Sequence, residues 1–312
     1  MNTYLALVKR EVLDGKNGYI RVPIILAGLT VAMVILSSLG VGELNLIRDI
    51  DHHSVHNIGD ALNLAQQEEA ADLPAAVTAG YWVISALMWV SFPFVIFFSL
   101  LSTLYEERRD RSILFWKSMP VDDWQEVAAK LFTIVLVTPV IFLCVAIAAQ
   151  LVSALFLSIV VLFQGGPVLA LWPLGFMISS WFSMLGHYVL WALWALPVLA
   201  WVLFVSAYAS RLPFMWAILT PVVIIIAEVT FLETHVFAEW LGRQLGGWQE
   251  WALNDLGRGL DIDGPRDALN MVFGAAQWEA LKFSLTSMRF WSGLVVAAGF
   301  VYGAIELRKR GT

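Results

Sequence analysis

Long apolar runs separated by short polar punctuation dominate the chain. Six stretches approach or exceed the roughly 20 apolar residues with which a helix crosses the hydrocarbon core of a bilayer. They are Val22 to Leu39, Tyr81 to Leu104, Val127 to Phe163, Trp181 to Tyr208, Pro213 to Leu232 and Phe290 to Ile305. The pattern predicts an all-α polytopic membrane protein with six transmembrane helices. At the helical rise the third run measures about 55 Å, so it must tilt, kink near Pro139 or project from the bilayer. Gly165, Gly166, Pro167, Trp172 and Pro173 mix breakers with apolar side chains and predict a re-entrant or interfacial turn rather than a seventh crossing.

The polar segments have patterns of their own. Tyr4, Leu5, Val8 and Val12 share one helical face beside Lys9 and Arg10, and Gly15 and Gly18 interrupt the pattern before Pro23. Residues 1–21 therefore read as an interfacial amphipathic helix, and residues 22–312 as the six-helix transmembrane domain. Two loops, about residues 40–80 and 233–288, lie on one side. The second carries Phe237, Trp240, Leu241, Leu245, Trp248 and Trp251 at helical spacing, which predicts a helix lying along the interface. On the other side the loop at 105–126 opens with Glu106, Glu107, Arg108, Arg109, Asp110 and Arg111. It continues through Ile113, Leu114, Phe115 and Trp116, stops at Met119-Pro120, and restarts a helix at Asp122 and Asp123. A solvated connector has little use for four large apolar residues in a row. The segment reads as a contact surface, with an aromatic anchor in the lipid interface as the alternative.

Composition agrees: of 312 residues 59% are hydrophobic and 14% charged, against about 25% charged in an ordinary soluble domain. Thirteen of the 19 Lys and Arg residues fall on the side of the 105–126 loop and both chain ends. That bias predicts both termini in the cytoplasm, in a cytoplasmic (inner) membrane. Acidic residues divide the opposite way, so the net charge of −6 describes the outer loops and implies no nucleic-acid partner. Residues 1–21 lack the small-residue cleavage site of a secretory signal. The single cysteine, Cys144, reads as a small buried hydrophobe.

Candidate chemistry is sparse. No Gly-x-x-x-x-Gly-Lys-[Ser/Thr] loop occurs, so this chain has no phosphate cradle and is not expected to be an enzyme by itself. Glu228 is the one acid well inside a span, where a carboxylate must be protonated, paired or wet; it is a candidate intramembrane polar site unless it reaches interfacial water. His187 is a second such candidate, with hydrogen bonding between helices as its structural reading. His52 and His56 stand four apart and are weak metal candidates, outweighed by a solvated polar loop, so no metal site is expected. Gly299 and Gly303 permit close helix approach. Trp82, Trp89, Trp191, Trp194 and Trp201 read as anchors and packing before they read as a cargo path.

The order of parts resembles the transmembrane (permease) subunit of an ABC-2-type transporter: interfacial helix, span, outer loop, span, cytoplasmic coupling helix, four more spans. The closest likeness is the stretch Glu107-Arg108-Arg109-Asp110-Arg111-Ser112 leading through Met119-Pro120-Val121 to Lys130. The resemblance implies that two copies of such a chain associate, and that each coupling helix seats on a separate ABC ATPase subunit, two copies in all. ATP and Mg2+ are then held by the partner, with no cofactor in this chain. It places the ATPase contact at Arg111, Ile113, Leu114, Phe115, Trp116, Met119, Pro120 and Trp124. The expected function is ATP-driven export of a hydrophobic or amphipathic cargo. An ion-coupled secondary transporter, a membrane-embedded enzyme and a structural scaffold are the competing readings.

Overall fold

The computed structural model describes residues 3–38, 57–68, 70–110, 121–246 and 275–310, with the backbone alone described for Thr3 and residues 275–280. Every regular element among them is helical. In chain order these are α1 (Thr3–Asp14), α2 (Val22–Ser38), α3 (Ile58–Glu68), α4 (Leu73–Arg109), α5 (Asp123–Phe132), α6 (Thr138–Phe163), α7 (Leu174–Trp194), α8 (Leu196–Tyr208), α9 (Pro213–Ala227), α10 (Val236–Gly246), α11 (Ala275–Thr286) and α12 (Met288–Arg310).

Six segments are long and apolar enough to cross a membrane: Asn17–Ser38, Leu73–Arg109, Asp123–Phe163, Val168–Trp194, Pro213–Leu232 and Met288–Arg310. This is the architecture of a multi-pass helical membrane protein. The boundaries differ from the apolar runs in instructive ways. Helix α4 begins at Leu73 and ends at Arg109, so it takes residues from both flanking loops. The run from Trp181 to Tyr208 is divided: α7 ends at Trp194 and α8 follows across Ala195 as a shorter apolar helix. Pro197 in the first turn of α8 has no amide hydrogen to give, which accounts for the interruption. Gly165, in a left-handed conformation at φ 72°, and a short 3-10 turn at Val168–Leu171 join α6 to α7.

Residues 123–163 stay helical throughout. Thr133–Val137 forms a π-helical turn immediately before Pro139, and the Thr138 hydroxyl donates to the Thr133 carbonyl at 3.0 Å. The wide turn thereby absorbs the hydrogen bond that proline breaks. The N-terminal glycines do not end the helical path either. A second π-helical turn, Asn17–Arg21, leads from α1 into α2. A Cβ on Gly15 would meet the Tyr19 ring at 2.3 Å, so glycine is there to admit that ring. Helix α1 packs on α5. Leu7 and Val8 pack on Ala129 with Tyr4, while Leu5 is 62% exposed.

The core lies between α4, α6, α7 and α8. Phe92 meets Phe142, Tyr188 and Trp191 with ring centroids 5.1, 4.5 and 5.6 Å apart. One buried polar side chain ties three of these helices. Gln150 on α6 donates to the Tyr81 carbonyl at 3.1 Å and to Ser85 Oγ at 2.9 Å, and accepts from the Trp181 indole at 2.7 Å. Helix α8 packs along α12, where a Cβ on Gly303 would lie 2.9 Å from the Phe204 ring. Gly299 has nothing within 4 Å of that position, so only Gly303 of the pair is used for close approach within the chain. Cys144, expected inside, faces outward from α6.

Candidate functional site

The densest polar chemistry gathers where α1, α4, α5 and α12 meet, at the end of the bundle from which residues 111–120 depart. Each contributing helix sends its charge from a buried stripe. On α1 the stripe Leu7-Val8 continues one turn to Glu11; on α5 Val127 and Ala129 sit beside Glu126 and Lys130; on α12 Phe290, Gly293, Ala297 and Ala304 lead to Arg308. The i, i+4 spacing puts Glu126 and Lys130 on one face of α5.

Four carboxylates and three cations interlock there. Glu107 takes Arg10 at 3.3 Å and Lys130 at 2.9 Å on one oxygen, and Arg308 on the other. Glu11 takes Arg10 at 2.7 Å and Lys130 at 2.8 Å. Glu126 holds Arg10 at 3.4 Å and also Arg308, whose Nε donates to Asp123 at 2.9 Å. The Lys130 and Arg308 side chains are each 3% exposed and that of Glu126 4%. Burial, the largest influence on Arg10, would lower its pKa, but Glu11, Glu126 and Glu107 together raise it. Removing one member of such a set leaves buried charge uncompensated, at a cost of about 3–5 kcal/mol.

Arg108 extends the ties to a fifth element. Its guanidinium donates to the carbonyls of Ser206 and Ala209, both at 2.7 Å, and so closes the C-terminal end of α8. Ser206 Oγ in turn accepts from the backbone amides of Leu104 and Tyr105 at 3.1 and 3.0 Å. The chain then turns into α9 through Leu212, a non-glycine residue at φ 51°.

The residues expected to touch an ATPase divide in two. Arg111, Ile113, Leu114, Phe115, Trp116, Met119 and Pro120 lie outside the described residues. Trp124 is described: it is 54% exposed, and its indole donates to Asp122 at 3.2 Å. The mixed-charge rim expected around this contact is corrected in part. Glu107 and Arg108 turn into the bundle, whereas Glu106, Arg109 and Asp110 remain exposed.

Of the remaining candidates, Glu228 and His187 are described. Glu228 is buried and accepts from the Phe237 amide at 3.0 Å through both oxygens and from the Thr234 hydroxyl at 3.1 Å. It caps the N-terminus of α10, where exposed amides and the helix dipole favour a carboxylate. His187 Nδ1 lies 2.8 Å from the Ser183 carbonyl one turn earlier, so this bond runs within α7 rather than between helices. Its ring packs edge-on against Trp82 and Trp89 at 5.9 and 5.8 Å. Trp194 donates to Ser284 and Trp201 to the Ala217 carbonyl, which makes both tryptophans packing elements. His52 and His56 lie outside the described residues, as do Trp248 and Trp251. Among the described residues no group of three or more His, Cys, Asp or Glu is placed to hold a metal.

Comparison of the chain with family models, with curated proteins and with solved structures finds no match.

Proposed function

We propose that this chain is the permease subunit of an ATP-driven ABC-2-type exporter in the cytoplasmic membrane, with both termini in the cytoplasm. It works as a homodimer with two copies of a separate ABC ATPase subunit, which bind ATP and Mg2+. The observation that supports this reading is the ionic cluster at the base of the 105–126 loop. Glu107 precedes residues 111–120, Asp123, Glu126 and Lys130 follow them, and between them the four reach α1 at Arg10 and Glu11 and α12 at Arg308. A push on the loop therefore arrives at α1, α4, α5 and α12 together, and through Arg108 at α8. A coupling element needs that property, because ATP must favour one arrangement of spans over another for transport to follow. The ion-coupled alternative loses its main support, since Glu228 is engaged in capping α10.

Purification of the tagged chain from its native host tests the reading. A nucleotide-binding subunit and ATP hydrolysis are expected with the wild type. Both should be lost with Phe115→Asp plus Trp116→Asp, while the chain itself remains folded. Recovery of the wild-type chain without any ATPase would sink the exporter reading.

A further inference from the structure

A groove of ≈ 1160 Å³ lies between α4 and the segment that leads from α1 into α2. It exceeds the roughly 300–1,000 Å³ of ordinary small-molecule pockets. Its α4 wall is one helical face that changes character along its length. Leu87, Val90, Phe94 and Phe98 come first, then Ser99, Ser102 and Thr103, and finally Glu106, Glu107 and Asp110. From Leu87 to Asp110 this face runs about 35 Å.

The opposite wall runs the other way in sequence and repeats the same order: Leu26 and Val22, then Tyr19 and Asn17, then Asp14 and Glu11. Two contacts hold the walls in register. Gly18 approaches Ser99 and Val95 closely enough that a Cβ would lie 3.2 and 3.4 Å from them, and Lys130 bridges Glu11 to Glu107. Apolar section thus faces apolar section, and acid faces acid. Val90, Phe94 and Phe98 are each more than half exposed, so the bundle leaves the apolar section uncovered.

Charge at the polar mouth is unbalanced. Five carboxylates line the groove: Lys130 holds Glu11 and Glu107, which Arg10 also meets, Arg308 holds Glu107, Arg10 lies 3.6 Å from Asp14 and Arg109 lies 3.0 Å from Asp110. Glu106 is exposed, and the five acids outnumber these four cations. Burial and then Glu11 push the Asp14 carboxyl above the usual aspartate range.

We infer that this groove binds a cationic amphiphile: an alkylammonium whose hydrocarbon tail lies along Leu87 to Phe98 and whose head sits at the mouth bordered by Asp14 and Glu106. The chemistry selects against the other amphiphiles of a bilayer. An anionic head would meet an excess of carboxylates, and a neutral one would bring no counter-charge to Glu106. The binding site stands on the groove alone. That its occupant is the exported cargo rests on the exporter reading.

The test uses the full chain in phosphatidylcholine nanodiscs and radiolabelled dodecyltrimethylammonium in equilibrium dialysis, with empty nanodiscs as reference. Saturable retention above the empty discs is expected for the wild type and for Glu239→Gln, which lies on α10. Asp14→Asn plus Glu106→Gln should weaken binding about ten-fold or more by removing two nearby opposite charges. Both positions are exposed, and a melting temperature no lower than that of the wild type verifies the fold. Dodecyl sulfate should not be retained above the empty discs. The inference is overturned if the wild type retains no excess cation, if the double variant binds as tightly as the wild type, or if dodecyl sulfate competes equally. No ATPase takes part, so failure here is separable from failure of the co-purification.

Discussion

The two ends of the bundle are held together by different chemistry. At one end, charges drawn from α1, α4, α5 and α12 form a single buried cluster whose directly paired members lie up to 201 residues apart in sequence. At the other, neutral or capping bonds act in separate pairs. Gln164 accepts from the Gly59 amide, the Tyr81 hydroxyl donates to the Leu171 carbonyl, and Glu228 caps α10. A shared ionic cluster makes its helices move as one body, because displacing any member strands the charge of several others. Independent pairs allow each helix end to shift separately. On the exporter reading proposed above, the charged end is the one suited to transmit force and the other the one suited to move.

The largest effect is expected from breaking the cluster. Arg308→Met leaves Glu107, Glu126 and Asp123 short of a cation inside the bundle, and should cost about 3–5 kcal/mol, read as a marked drop in the melting temperature of the purified protein. Overpacking the uncharged contact between α8 and α12 sharpens the comparison. Gly303→Leu should cost about 1–3 kcal/mol against the Phe204 ring, whereas Gly299→Ala should leave the melting temperature unchanged. Glu228→Gln removes a capping charge, worth about 1 kcal/mol. Its increase in amide exchange should stay within residues 236–246; a matching increase around residues 105–130 would erase the distinction between the ends.

The smallest effect concerns pH. Asp14 binds its proton more tightly folded than unfolded, so the folded state holds the extra proton in the window just above the unfolded value of about 3.9. Stability falls as pH rises through that window, and a constant penalty remains above it. Asp14→Asn should therefore raise the melting temperature slightly at pH 7. The gain should disappear below pH 4 or so, where the wild-type residue is protonated in both states.

The apolar runs were sufficient to count the six segments long enough to cross, because a bilayer demands long uninterrupted hydrophobicity, but they misplaced the fourth, which runs from Val168 to Trp194. Helix α10 was visible for the same reason, as an apolar stripe at Phe237, Trp240 and Leu241. The ionic cluster was not. Glu107 in an acidic and basic run reads as solvated, and its partners Arg10 and Arg308 stand 97 and 201 residues away. A usable signal was nevertheless present. The buried stripes of α1, α5 and α12 each run onto a charged residue, Glu11, Lys130 and Arg308, and a stripe that ends in a charge implies a partner for it. The burial of Leu7 on Ala129 was not legible, because a stripe of two turns does not say which side of α1 meets a neighbouring helix. Gly15 was read as a breaker because the ring it accommodates, Tyr19, becomes its neighbour only once the chain is helical.

Hydrogen exchange measured by mass spectrometry on the wild type and on Arg308→Met tests the unity of the charged end most directly. The account predicts that loss of this one side chain near the C-terminus raises exchange together in Thr3–Asp14, in the last turns of α4 and in Asp123–Phe132, elements more than 170 residues away in sequence. An increase confined to the last turns of α12 would contradict it.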